Sequence, residues 1–214
     1  MHKIVLSSII LMAVTTLNAA SIFSENFEGA VIGSYATPSA VTGSAFSLVA
    51  GSADINGPGV SDYGWLCDGD VGRCLDTTGG GTGGRGTLET ALINFAAPGL
   101  YQLTLNISRW NETNEGGGAN DTMLRISVGS LTTADYTVDG SWVNGIYFQT
   151  FNVLAPTSAK LTIQDLGLPA STAYAGAIID NISIDLIPEP STYALIGSGV
   201  AALFFARRKR QASV

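Results

Sequence analysis

The chain has 214 residues, with ten basic and seventeen acidic side chains, one histidine, two cysteines and a net charge of −7. Charge of that sign argues against nucleic acid or anionic lipid head groups as partners and fits a solvated exported protein or one that binds calcium. The one histidine is His2, inside a leader-like N-terminus. Beyond that leader the chain therefore holds neither a Ser-His-Asp nor a Cys-His mechanism, and two thiols alone are too few ligands for zinc.

In chain order, Lys3, the apolar run Ile4 to Leu17 and the small residues Asn18-Ala19-Ala20-Ser21 read as a secretory signal peptide over residues 1–20, cleaved at Ala20 or Ser21. Residues 21–187, 167 in all, suit a single domain with one core. Sixteen acidic and five basic residues leave this unit at −11. It is rich in Gly, Ser, Thr, Asn and Ala, poor in Lys and Glu, and short on helical periodicity. Strands are expected at Ile22 to Phe27, Phe46 to Val49 and Leu88 to Phe95. Pro98-Gly99 then marks a turn, and Tyr101 to Ser108 alternates apolar and polar residues, the period of a half-buried strand. Thr122 to Val128, Gly145 to Val153, Ala159 to Gln164 and Ala177 to Leu186 complete the series. Short strands with polar turns predict an all-β, two-sheet antiparallel sandwich whose first and last strands are neighbours.

Between the strands lie the candidate sites. Cys67 and Cys74 enclose Asp68 to Arg73, and in an exported chain this spacing predicts a disulfide closing a small surface loop. Thr77 to Gly84 is a glycine-rich loop with no following Gly-Lys-Ser/Thr, which excludes a phosphate cradle. Asn114 to Asn120 reads as a second, hairpin loop. Sugar binding needs exposed rings beside hydrogen-bonding groups, and Tyr63, Trp65, Trp110, Trp142 and Tyr147 are available. Trp65 and Trp110 adjoin irregular polar segments and are the glycan-binding candidates, with packing at a sandwich edge as the competing reading. Glu89, Glu112 and Glu115 could serve a glycosidase as acid and base, although nothing distinguishes them from surface charges.

The last strand places Ile178, Asp180, Ile182, Ile184 and Leu186 on one face by strict alternation. A carboxylate among aliphatics needs a partner, either a cation or backbone donors. Glu25 and Glu28 would approach it if the terminal strands are adjacent, and such oxygen ligands suit calcium. Equally open is Asp180 near solvent, capping a turn with Asn181.

After the domain come Pro188-Glu189-Pro190, which should be extended and accessible, and the uncharged run 191–206. As a helix that run would measure roughly 24 Å, short of a ~30 Å hydrocarbon core. Arg207-Arg208-Lys209-Arg210 then favours a cytoplasmic C-terminus and can snorkel to lengthen the span. Residues 188–214 resemble the PEP-CTERM sorting signal. The resemblance implies export across the inner membrane of a Gram-negative bacterium and anchoring by a short transmembrane helix at 191–206. It also implies recognition by an exosortase and an association with exopolysaccharide and biofilm.

A second resemblance covers most of Ser21 to Leu186. Asn26-Phe27-Glu28-Gly29, Gly99-Leu100-Tyr101-Gln102-Leu103 and Ile179-Asp180-Asn181-Ile182-Ser183 resemble galactose-binding-like jelly rolls. This implies a structural calcium ion held by Glu28 and Asp180. The whole reads as a non-enzymatic envelope or matrix protein, with a carbohydrate-binding module for exopolysaccharide and a glycoside hydrolase as alternatives.

Overall fold

A computed structural model describes residues 20–57, 67, 72–79, 84–109, 122–138, 145–167 and 176–188. The described residues form two antiparallel sheets. In the larger, β12 (Gly145–Val153) is an edge, followed by β9 (Gly99–Arg109), β15 (Ala177–Ile187), β6 (Cys74–Asp76), β5 (Ser52–Asn56) and β2 (Gly33–Ala36). β1 (Ala20–Glu25) pairs with the C-terminal half of β15 while β6 pairs with its start, so the first and last strands are neighbours as expected. The smaller sheet runs β11 (Thr132–Val138), β10 (Thr122–Val128), β14 (Leu161–Asp165), β7 (Thr87–Thr90), β4 (Phe46–Ala50), β3 (Ser39–Ala40). A ribbon of β8 (Ile93–Phe95) and β13 (Thr157–Ala159) accompanies them. The chain crosses between the two main sheets from β2 to β3, β4 to β5, β6 to β7, β9 to β10, β11 to β12 and β14 to β15, which is wiring of jelly-roll type.

Alternation explains the core. Tyr101, Leu103, Leu105 and Ile107 of β9 face Leu124, Ile126 and Val128 of β10 and Leu161 and Ile163 of β14, all buried. Each such side chain stabilises the fold by roughly 1.5–3 kcal/mol relative to exposure.

Three expectations need correction. Leu88 to Phe95 is two strands in different sheets, broken at Ala91-Leu92, because β8 leaves β7 to pair with β13. Strands β2, β3, β5, β6, β11 and β13 were not expected; β5 and β11 are too polar to carry an alternating apolar signal. Asp180 does not share a face with Ile182 and Ile184. A bulge between Asp180 and Ser183, with Asn181 at φ 49°, shifts the register against β9. Ile178 and Asp180 therefore pair beside the outward residues Ser108 and Asn106, whereas Ile182 and Ile184 are buried in the core.

The two ends of the sandwich differ. At one, Ala20 lies opposite Leu186, Ile187 opposite Leu100 and Val153 opposite Gly99. This end carries the short connections at 91–92, 96–98, 129–131 and 154–156, and Phe95, Tyr101 and Phe151 close it from within with ring centroids 5.1–6.0 Å apart. Arg109 and Ala177, paired with each other, mark the opposite end, where connections 110–121, 139–144 and 168–175 begin.

Candidate functional site

The outer face of the larger sheet is set by the same alternation that fills the core. With Leu103, Leu105, Phe151 and Ile184 inward, β9 turns Gln102, Thr104 and Asn106 outward, β12 turns Ile146, Phe148, Thr150 and Asn152 outward, and β15 adds Ser183 and Asp185. Register places Phe148, Thr104 and Ser183 in one row and Thr150, Gln102 and Asp185 in the next. Phe148 is 67% exposed and Ile146 72%. An exposed ring beside amides and hydroxyls on strands ~4.8 Å apart can stack a sugar ring and hydrogen-bond its hydroxyls.

The platform is held from below. Tyr147 points inward, its ring 4.6 Å from that of Tyr136 across the sheets. The Tyr136 hydroxyl donates to Gln149 Oε1 at 3.1 Å, and Gln149 Nε2 donates to Thr132 Oγ1. Burial pushes the Tyr136 phenol above its ordinary range. Tyr147 is thus a packing residue and no glycan contact, and its neighbour Phe148 is the exposed ring. Phe148 was legible in the sequence only as an apolar residue out of phase with Tyr147 and Phe151 on an edge strand. Trp65 and Trp110, like Tyr63 and Trp142, lie outside the described residues.

Toward the far end the outer face is covered. Cys67 and Cys74 form the expected disulfide, S–S 2.02 Å and Cα–Cα 5.3 Å. Both are fully buried and pack with Ile178, so the bridge that closes the 68–73 loop also covers the outer face there. Beside it, the Arg73 amide donates to Glu28 Oε1 at 2.9 Å, and the Arg73 guanidinium donates to the carbonyls of Glu28 and Ala30. Glu25 accepts from the amides of Phe27 and Ala45, holding the turn after β1. Asp180 is buried, and its Oδ1 and Oδ2 accept from the amide and side chain of Asn181 at 2.7 and 3.2 Å. Glu28 and Asp180 offer oxygens of the type calcium takes. No group of three or more His, Cys, Asp or Glu side chains among the described residues is gathered tightly enough to hold a metal.

Two further buried carboxylates, Asp165 and Asp76, lie inside the fold. Asp165 of β14 is buried and accepts from Arg85 Nη1 at 2.8 Å, Thr122 Oγ1, the Gly167 amide and Thr77 Oγ1, tying the two sheets together. Asp76 lies opposite Asp54 on β5. Burial, reinforced by Asp54 and more weakly by Asp165, raises the Asp76 carboxyl well above the ordinary range, against opposing hydrogen bonds from Thr78. Of the three glutamates considered for hydrolysis, Glu89 is paired with Lys160 at 2.7 Å, and Glu112 and Glu115 lie outside the described residues.

At the other end, Pro188 follows β15 directly, while Glu189, Pro190, Arg207, Arg208, Lys209 and Arg210 lie outside the described residues. No helix among the described residues is long and apolar enough to cross a membrane.

Comparison with known proteins adds one assignment. Residues 186–210 match the PEP-CTERM protein-sorting motif. Among curated proteins, none matches the sequence. Solved structures similar to the chain include the mosquito-larvicidal Cry4Aa toxin from Bacillus thuringiensis, at 10% identity and TM-score 0.41, where the match covers 74% of this chain but only 22% of the toxin chain. The xylan-binding CBM22-1 domain of Xyn10C from Paenibacillus barcinonensis matches at 12% identity and TM-score 0.43, covering 80% of this chain and 97% of that domain. The C-terminal CBM6 of LamC, a marine laminarinase from Zobellia galactanivorans, matches at 13% identity and TM-score 0.37, covering 76% and 98% respectively.

Proposed function

We propose that this is an exported, non-enzymatic β-sandwich protein of the cell surface or extracellular matrix of a Gram-negative bacterium. In this reading it is held briefly in the inner membrane by residues 191–206, processed by an exosortase and associated with exopolysaccharide. The observation that carries the reading is the sorting motif at 186–210, which starts as the last strand ends at Ile187. The folded domain is thereby complete before the tail begins, so cleavage at Pro188-Glu189-Pro190 releases it intact. Fractionation of the native host tests this. Wild-type chain is expected in the released fraction and E189A in the membrane fraction, and equal release of the two sinks the processing step.

A second reading, a carbohydrate-binding module, is favoured by the outer face of β12 and β9, where Phe148 stands exposed among Gln102, Thr104, Thr150 and Asn152. Ring stacking on a sugar is worth about 0.5–1.5 kcal/mol by analogy with other aromatic stacking, so F148A should weaken binding on a glycan array by up to about tenfold without lowering Tm. Retention of binding by F148A with its loss in W65A or W110A would move the site to the loops. A calcium ion at Glu28 and Asp180 remains a proposal from the jelly-roll resemblance. A rise in Tm on adding calcium that is absent in D180N supports it, and an unchanged Tm removes it.

A further inference from the structure

We infer that the strand-end surface beside Ile187 rests on the same bilayer that holds the chain's own C-terminal run. This surface comprises the connections at 91–92, 96–98 and 154–156. The inference rests on the reading of residues 191–206 as a membrane anchor and adds an orientation and a contact surface to it. Three observations carry it.

The tether is short. From Ile187, the last residue of β15, to Ser191, where the apolar run begins, is four residue steps, at most about 14 Å when extended. The polar head-group layer is itself roughly 5–7 Å deep on each side. An anchored chain therefore holds this end of the sandwich at the interface.

The surface at that end exposes several large apolar side chains, beside Asn94, Thr157 and Ser158 of the β8–β13 ribbon. Asn152 is level with Leu100 and Ile187 in the register, so Leu154 lies just beyond the end of the sheet, 90% exposed. Leu92 is 67% exposed in the neighbouring turn, and Ala96, Pro98, Ala155 and Pro156 are exposed with them.

The acidic surface is interrupted at this end. In a domain of net charge −11, no charged residue occurs from Thr90 to Ser108 or from Gly140 to Ala159, and β8, β12, β13 and all of β9 except Arg109 at its far end lie in those two stretches. Lys160, next in the chain, is neutralised by Glu89. An uncharged apolar base suits shallow insertion into a zwitterionic interface, where a −11 surface would otherwise be repelled from anionic lipid.

The test uses the full chain reconstituted in phosphatidylcholine vesicles with and without brominated acyl chains. L154W and L92W are compared with the unsubstituted chain and with T137W, an exposed position near the far end of β11. Both base variants are expected to lose up to about a quarter more of their emission to bromine than the unsubstituted chain, the share of one added ring among four tryptophans when that ring is seated in the head-group and acyl boundary, while T137W loses no more than the unsubstituted chain. If the chain floats with vesicles but L154W and L92W are quenched no more than T137W, the contact surface is refuted and the anchor stands. If the chain fails to float with vesicles, the anchor reading falls and takes the inference with it.

Discussion

Arg85 and Asp165 hold the two sheets to each other through one buried carboxylate with four donors. Removing the cation alone leaves that charge uncompensated, so R85A should destabilise the domain by about 3–5 kcal/mol in urea unfolding; a change within experimental error would show the threonines suffice. Asp76 acts in the opposite sense. Its folded form binds a proton more tightly than the unfolded chain, because burial outweighs its hydrogen bonds. That contribution to stability is fully present below the unfolded carboxylate pKa and is lost as pH rises through the raised folded value. D76N keeps the acceptor for the Thr78 amide and removes the titration. It should therefore raise Tm at neutral and alkaline pH and flatten the decline, and an unaltered pH profile would exclude Asp76 as its source. Neither role was legible in the sequence. Asp76, Arg85 and Asp165 come from separate segments, and only the pairing of β6 with β15, of β14 with β7 and the Thr78–Arg85 bridge brings them together.

At the scale of elements, β9, β10 and β12 were legible because each alternates over seven or more residues. β7 and β8 were not separable, since the apolar period continues through Leu92 although the backbone turns there. Asp180 shows the limit of periodicity: a single bulge at Asn181 reverses which residues of β15 face the core. The disulfide was legible from spacing, but its burial against Ile178 was not, because the covering face belongs to a strand a hundred residues later in the chain. Chain entropy alone gives a bridge between residues seven apart about 2–3 kcal/mol. Exposure of Ile178 should add to it, so C67S/C74S is expected to lose more than that value. A loss of less would mean that the segment stays in place without the bridge. The exposed Phe148 could be read from its position on β12 only once β12 was known to be an edge and Tyr147 to be packed on Tyr136.

The whole molecule is polarised along its strands. One end carries both termini of the folded domain, an uncharged apolar surface and the start of the sorting motif; the other carries the long connections. The outer face of β9 and β12, with Phe148 exposed, lies between the two ends. The central claim is that the tail sorts and releases an intact sandwich, and it is tested most directly by intact-mass spectrometry of the chain from its native host. Membrane and released fractions are compared without reduction. Residues 1–20 absent, a C-terminus between Pro188 and Pro190 in the released fraction, and a mass two hydrogens light for Cys67–Cys74 are the expected result. A mass retaining Arg207 to Val214, found in the membrane fraction alone, would contradict release and make the protein a permanently anchored component of the envelope.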